Sequence, residues 1–203
     1  MCASALLGSI GSSSAITLDV GLGDPLALGD VIHGIQAGGQ VNRDVIMVNN
    51  LLSVGLGSSS IINSRLYERS VNVFNPLPAA VATGAQFASG IADGAVYLDI
   101  TLTDSFRYLL AAYDGPRGGV EIWDIASLAS GTTISIPRYA EPTGGDGTLV
   151  QSHRYRMTGW TLLNPGVTPT IPGNTSVPDA GATAMLLGVS MTALGAARRF
   201  LKF

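Results

Sequence analysis

The sequence predicts a mainly β fold, an antiparallel β-sandwich of jelly-roll or immunoglobulin-like kind, with one short amphipathic helix near 41–54 and a transmembrane helix at the C-terminus. Three observations carry this. Short runs rich in Val, Ile, Thr, Tyr and Trp recur between turns of Gly, Asp and Pro. A single stretch switches to helical spacing. The tail from Val177 to Phe203 drops its charge from Ala180 to Ala197 and then ends in a basic cluster.

Taken in order, Ile16 to Val20 alternates apolar and polar residues at period two, as a half-buried strand does, and Gly21 to Pro25 is a turn. Val31 to Ile35 is a second strand, broken by Gly38-Gly39. Val41, Val45, Val48 and Leu52 then step by four, three and four, which is one face of a helix ending at Gly55 or Gly57. Strand propensity returns from Ile61 through Leu66, Tyr67, Val71, Val73 and Phe74 until Asn75-Pro76 stops it. Ala79 to Gly94 reads as a long loop or an edge segment. The strongest strands follow at Val96–Leu102, Tyr108–Tyr113, Val120–Ile125, Thr132–Ile136 and Gly159–Leu163.

The tail has the profile of a membrane span. A helix rises about 1.5 Å per residue and needs roughly 17 to 25 residues to cross the hydrocarbon core. Residues 180–197, extended by Phe200 and Leu201 while Arg198 and Arg199 snorkel, meet that length. Arg198, Arg199 and Lys202 form a one-sided basic stop that would stay cytoplasmic, placing the body outside.

The tail also shows a recognisable motif. Val177-Pro178-Asp179, Gly181, Thr183, the apolar helix and Arg198-Arg199 resemble the C-terminal sorting signals of the PEP-CTERM class, in the variant with consensus VPDSG. Ala180 and Ala182 stand where serine is usual. The resemblance implies an exported bacterial protein whose signal is read at Val177, Pro178 and Asp179 by an exosortase-type membrane peptidase, with exopolysaccharide or biofilm as the setting. A second resemblance covers Tyr108 to Asn164. The run Tyr108 to Asp114, the turn Gly115-Pro116-Arg117-Gly118-Gly119, Trp123, Ser152-His153 and Trp160 to Pro165 are similar to a recurrent exported β-rich domain found upstream of such signals, one without a settled activity.

The domain plan is therefore a truncated signal-peptide remnant at 1–15, a β-sandwich domain at 16–166, a Pro/Thr linker at 167–176, and the sorting signal at 177–203 with its transmembrane helix at 180–197. Residues Ala5 to Ala15 supply the apolar and small-residue half of a secretory signal without a positive start. The body is long enough for one domain with a real core. Eight arginines stand against fourteen acidic residues before Ala180, with three cations after it. An acidic body without basic clusters argues against nucleic acid as a partner. Cys2 is the sole cysteine, so no disulfide closes within the chain.

Few residues suggest chemistry, and no enzyme activity, cofactor or metal is expected. Ser152, His153 and Asp146 could be drawn as a hydrolytic trio, but no Gly-x-Ser-x-Gly elbow is present and nothing shows that the three converge. His33 and His153 do not make a metal spacing. The acidic Gly turns at 114–119 and 144–147 could hold calcium but lack alternating carboxylates, so turn chemistry explains them. Glu121 and Asp124, three apart on one strand, face opposite sides and cannot flank one bond unaided. Trp123 and Trp160, with Tyr97, Tyr108 and Tyr113, are candidates for a sugar-stacking platform, although aromatics in strands more often form core. The functional expectation is a non-enzymatic cell-surface or matrix protein delivered by its tail. The alternative is an adhesion module binding carbohydrate or calcium.

Overall fold

Three strands of the body are buried at every position: β2 (Ala27–Ile32), β7 (Tyr108–Tyr113) and β8 (Gly119–Asp124). A strand shows one side chain to each face in turn, so such strands must be covered on both sides. The computed structural model, which describes residues 14–32, 41–82, 87–91, 96–143 and 148–164, shows what covers them. The chain divides into two units, Met1–Gly166 and Val167–Phe203; the described residues all belong to the first.

The larger sheet runs in the order β11 (Leu149–Gln151), β10 (Tyr139–Pro142), β12 (Tyr155–Leu163), β7, β8, β2, β4 (Arg65–Arg69) and β3 (Ser59–Ile62). The edge strand β5 (Phe87–Gly90) pairs with the C-terminal half of β12. Every pairing in this sheet is antiparallel. A smaller sheet holds β1 (Ala15–Thr17), β9 (Thr133–Pro137) and β6 (Tyr97–Thr101) in that order, and here β1 lies parallel to β9. This pair corrects the wholly antiparallel expectation: the chain crosses from one sheet to the other between β1 and β2 and returns only at β6, so no hairpin dictates the direction of β1.

One face of the large sheet packs on the small one. Ile100, Ile134 and Ile136 of the small sheet share an apolar cluster with Leu109, Ala111, Tyr113, Trp123 and Leu162 of the large sheet. The outer face of the small sheet is polar, where Thr101 and Thr133 hydroxyls meet and Ser135 Oγ donates to Asp99. The opposite face of the large sheet carries α1 (Val41–Ser53), whose Val45, Met47, Val48 and Leu51 pack on Leu28, Val31, Tyr67, Leu110, Val120 and Ile122. The expected helix is present, ending at Ser53, two residues before Gly55 and four before Gly57. Its buried face reaches Leu51 as well as the half-buried Leu52.

Glycine is required at two close approaches. Gly29, at φ +148°, sits at a bulge between β2 and β8, and a Cβ there would come within 2.1 Å of the Glu68 carbonyl. Gly90 lies directly opposite Trp160, and a Cβ would sit 2.7 Å from three atoms of the indole, on the face of the ring. The aromatic side chain thus fills what the edge glycine leaves open.

Other expectations shift. The strand expected from Ile61 to Phe74 is a hairpin of β3 and β4, and Val71 and Val73 lie exposed beyond it. The strand expected at Val31–Ile35 begins earlier, at Ala27, and residues 33–40 lie outside the described ones. Strands β10 and β11 were not foreseen, because Pro137 and Pro142 bracket one and the other is three residues long. Among the described residues no helix is long and apolar enough to cross a membrane; the expected span at 180–197, the linker at 167–176 and all but the last two residues of the expected remnant at 1–15 lie outside them, and Ala15, assigned to that remnant, instead opens β1.

Trp123 is fully buried between the sheets and its Nε1 donates to the Asp19 carbonyl at 3.3 Å. Trp123→Ala should therefore lower stability by about 3–5 kcal/mol, read from urea unfolding followed by far-ultraviolet circular dichroism. The native spectrum should be β-dominated. Ile61→Ser, at a position 75% exposed, should change stability by no more than about 0.5 kcal/mol.

Candidate functional site

Val177, Pro178, Asp179, Gly181, Thr183, Arg198, Arg199 and Lys202 lie outside the described residues, as do His33 and Asp146. The remaining sequence candidates can be placed, and the structure disperses them. Trp123 has no exposed surface, while Trp160 is half-buried against Gly90 and keeps some. Tyr113 belongs to the inter-sheet cluster, Tyr108 to the opposite, helix-covered face, and Tyr97 is exposed on the small sheet. The five aromatics therefore share no single surface.

Ser152 Oγ accepts the Arg154 amide at 3.0 Å in a local turn. The exposed His153 ring tilts against Tyr139, with centroids 6.5 Å apart. In the turn at 115–118, Gly118 N–H donates to Gly115 O, and Asp114 Oδ1 accepts the Arg156 amide at 2.7 Å. That carboxylate is engaged in holding β7 to β12. Among the described residues no group of three His, Cys, Asp or Glu side chains is placed to hold a metal ion.

Glu121 and Asp124 do face opposite sides of β8. Asp124 Oδ2 accepts from Arg107 Nε at 3.2 Å and Nη2 at 3.0 Å, and Nη2 also donates to the carbonyl of Pro76 at 2.8 Å. Asp124 Oδ1 accepts the amide of Ala126. This nearly buried pair anchors the segment after β4, joined there by Tyr108, whose hydroxyl donates to Ala79 O. Asp44, in the first turn of α1, is buried against Thr161 of β12, and burial raises its carboxyl above the ordinary range.

Glu121 does have a partner, supplied by another strand. Cross-strand register sets Glu68, Asp30, Glu121, Ala111 and Trp160 directly opposite one another on β4, β2, β8, β7 and β12. Directly opposed residues share a face, so three carboxyl groups stand in a row beneath the small sheet. Asp30 and Glu121 have no exposed surface, and Glu68 is half-buried with Thr148 Oγ1 donating to it at 2.9 Å. Glu121 Oε2 accepts the Gly21 amide at 2.9 Å and Asp30 Oδ2 accepts the Leu149 amide at 2.8 Å.

The other oxygens, Asp30 Oδ1 and Glu121 Oε1, are buried and accept from no N–H or hydroxyl donor among the described residues. A hydrogen bond between two carboxyls needs a proton, and the two sites are pushed apart in acidity. Burial raises Glu121 well above the ordinary range, helped by the Asp30 charge and by donating its proton to Asp30. Burial raises Asp30 from 3.8 to about 7, opposed by the bonds it accepts from Glu121 and Leu149. Glu121 therefore carries the shared proton. Tyr113, whose hydroxyl donates to Pro137 O at 2.7 Å, lies on the same face and is raised by burial and then by these two acids.

Chemically, such a pair resembles an acid–base dyad, but it is closed over. With both carboxyls at zero exposure, no substrate atom reaches them, so the arrangement binds four chain segments together. Sequence reasoning saw Glu121 and missed Asp30. The available signal was an acid inside each of two very apolar runs, ALGDVI and GVEIWD.

Comparison with known proteins adds one finding. A family model described as the VPDSG-CTERM motif matches residues 176–200, which supports a C-terminal sorting signal of the PEP-CTERM class. No curated protein and no solved structure matches the chain.

The acid pair predicts a pH dependence with a definite sign. Both groups have raised folded-state values, so above about pH 4 the unfolded chain has released protons that the folded chain keeps. Stability should fall as pH rises from there through about 7, and further as Glu121 ionises. The urea midpoint should be higher at pH 5 than at pH 8. Asp30→Asn, which retains an acceptor for Leu149 and supplies a neutral donor to Glu121, should flatten that slope; a midpoint rising toward pH 8 would contradict the shared proton.

Proposed function

We propose that this chain is a non-enzymatic exported protein whose β body is cargo, delivered to the cell surface or extracellular matrix by its tail and associated there with exopolysaccharide. The observation that carries the reading is the sorting-signal match over residues 176–200. Such a signal fits an exported protein processed by an exosortase-type system and held transiently in the membrane. In this reading Val177, Pro178 and Asp179 are the peptide recognised, residues 180–197 span the bilayer, and Arg198, Arg199 and Lys202 hold the C-terminus in the cytoplasm.

Pro178 matters twice. It keeps the residue before it extended, so the motif stands clear of the helix that follows, and it is part of what the peptidase reads. The body is read as a β-sandwich of the jelly-roll or immunoglobulin-like type, supported by two sheets sharing one apolar cluster, and as the β-rich domain found upstream of such signals. Its non-enzymatic role is part of the same reading, supported by the closure of the Asp30–Glu121 pair, whose carboxyls have no exposed surface.

The test is mass spectrometry of the mature C-terminus, in a bacterial host carrying an exosortase-type peptidase. A C-terminus near Val177-Pro178-Asp179 is expected, with Pro178→Ala and Asp179→Ala leaving uncleaved protein in the membrane. Recovery of the wild-type chain through Phe203 would leave a plain single-span anchor in place of a sorted cargo.

A further inference from the structure

At the C-terminal end of α1 the large sheet's helix-covered face opens into a pocket of about 340 Å³. Its walls are mostly apolar, with Leu52, Val54, Leu56, Phe74 and Leu77 among them, and Asn72 adds one polar side chain, already bonded to the Asp24 and Ala27 carbonyls. Val73 and Leu77 at the rim are 76% and 75% exposed, which is unusual for side chains of their size. One charged side chain lines it as well, Arg69, the last residue of β4.

Arg69 is almost wholly buried, yet among the described residues no carboxylate comes within ion-pair distance of it. Among the described residues its guanidinium makes one hydrogen bond, Nη1 to the Leu28 carbonyl at 2.7 Å, for a group with five N–H donors. Among carboxylates, Asp124 acts on it through space, after the weaker acid Tyr108, and that carboxylate is already taken by Arg107 and the Ala126 amide. Burial accordingly holds the Arg69 guanidinium below its ordinary range. The end of α1 offers about half a negative charge, too little to neutralise a whole buried cation. A buried charge without its counter-ion is costly.

The geometry points to a binding site for a small amphiphilic carboxylate, its acid group on Arg69 and its hydrocarbon chain against Leu52, Leu56, Phe74 and Leu77. A guanidinium accepts a carboxylate through two parallel hydrogen bonds, and pockets of this volume suit small ligands of mixed apolar and polar character. A neutral alcohol of equal length would fill the walls and leave Arg69 uncompensated. An amine would add a second cation. The site lies on the face opposite the Asp30–Glu121 pair and does not depend on the sorting reading.

The experiment uses the full-length chain in phospholipid nanodiscs, with methyl resonances of Leu56, Val73 and Leu77 followed during titration with hexanoate, hexan-1-ol or hexylamine. Hexanoate should shift these methyls saturably, with hexan-1-ol weaker by about tenfold or more and hexylamine weaker still. Val73→Asp, at an exposed position, should place a carboxylate at the mouth and weaken hexanoate by about tenfold, with the rest of the spectrum unchanged. Arg69→Gln should bring hexanoate down to the level of hexan-1-ol; if that variant fails to fold, Val73→Asp decides. Equal affinity for acid and alcohol, unsaturable shifts, or a Val73→Asp chain that binds hexanoate as before would each overturn the proposal.

Discussion

Two carboxyl groups sharing a proton between β2 and β8 are the constraint around which the body is arranged. Buried ions cost several kcal/mol apiece unless paired, and here the pairing is acid with acid, so the fold must supply both the proton and the outer donors. It does so from distant parts of the chain. The Gly21 amide reaches Glu121 across 100 sequence positions, and the Leu149 amide reaches Asp30 across 119. The turn before β2 is itself tied by Asp24, which accepts the amides of Asp19 and Leu26. Through these bonds the first turn, two central strands and the edge strand β11 hold one another in register.

The same register separates the two faces of the large sheet. Residues opposite Glu121 and Asp30 look toward the small sheet, while their neighbours one position along look toward α1. The bulge at Gly29 keeps Ala27 with Trp123 on the first side and Leu28 on the second. Polar anchors respect this division. Arg107–Asp124, Tyr108–Ala79 and the paired bonds between Asn49 and Val81 all fasten the segment following β4 beneath and beside the helix.

What was legible in the sequence was whatever depends on local period. The 4-3-4 spacing of Val41, Val45, Val48 and Leu52 gave the helix, and the β-branched and aromatic runs at Tyr108 and Val120 gave the central strands. The parallel partner of β1 and the two short strands near Pro142 depend on long-range contacts that no local pattern encodes. Asp30 shows locally only as an acid inside the apolar run ALGDVI, and its pairing with Glu121 depends on cross-strand register. Trp160 looked equivalent to Trp123, yet the Gly90 edge strand leaves it half-buried where Trp123 is sealed. The tail was the reverse case, read from its order of motif, apolar run and basic end, and the sorting-motif comparison matched residues 176–200, which hold the motif, the run and Arg198-Arg199 but not Lys202.

These lines meet in one idea: the buried acids Asp30, Glu121 and Asp124 are structural fastenings that tie distant segments of the body together. The most direct check is a carbon-13 titration of the Asp30 and Glu121 carboxyl carbons by nuclear magnetic resonance. The account predicts that Asp30 ionises near pH 7 while Glu121 still holds its proton. Ionisation of both carboxyls near pH 4, the range of acids open to water, would contradict it.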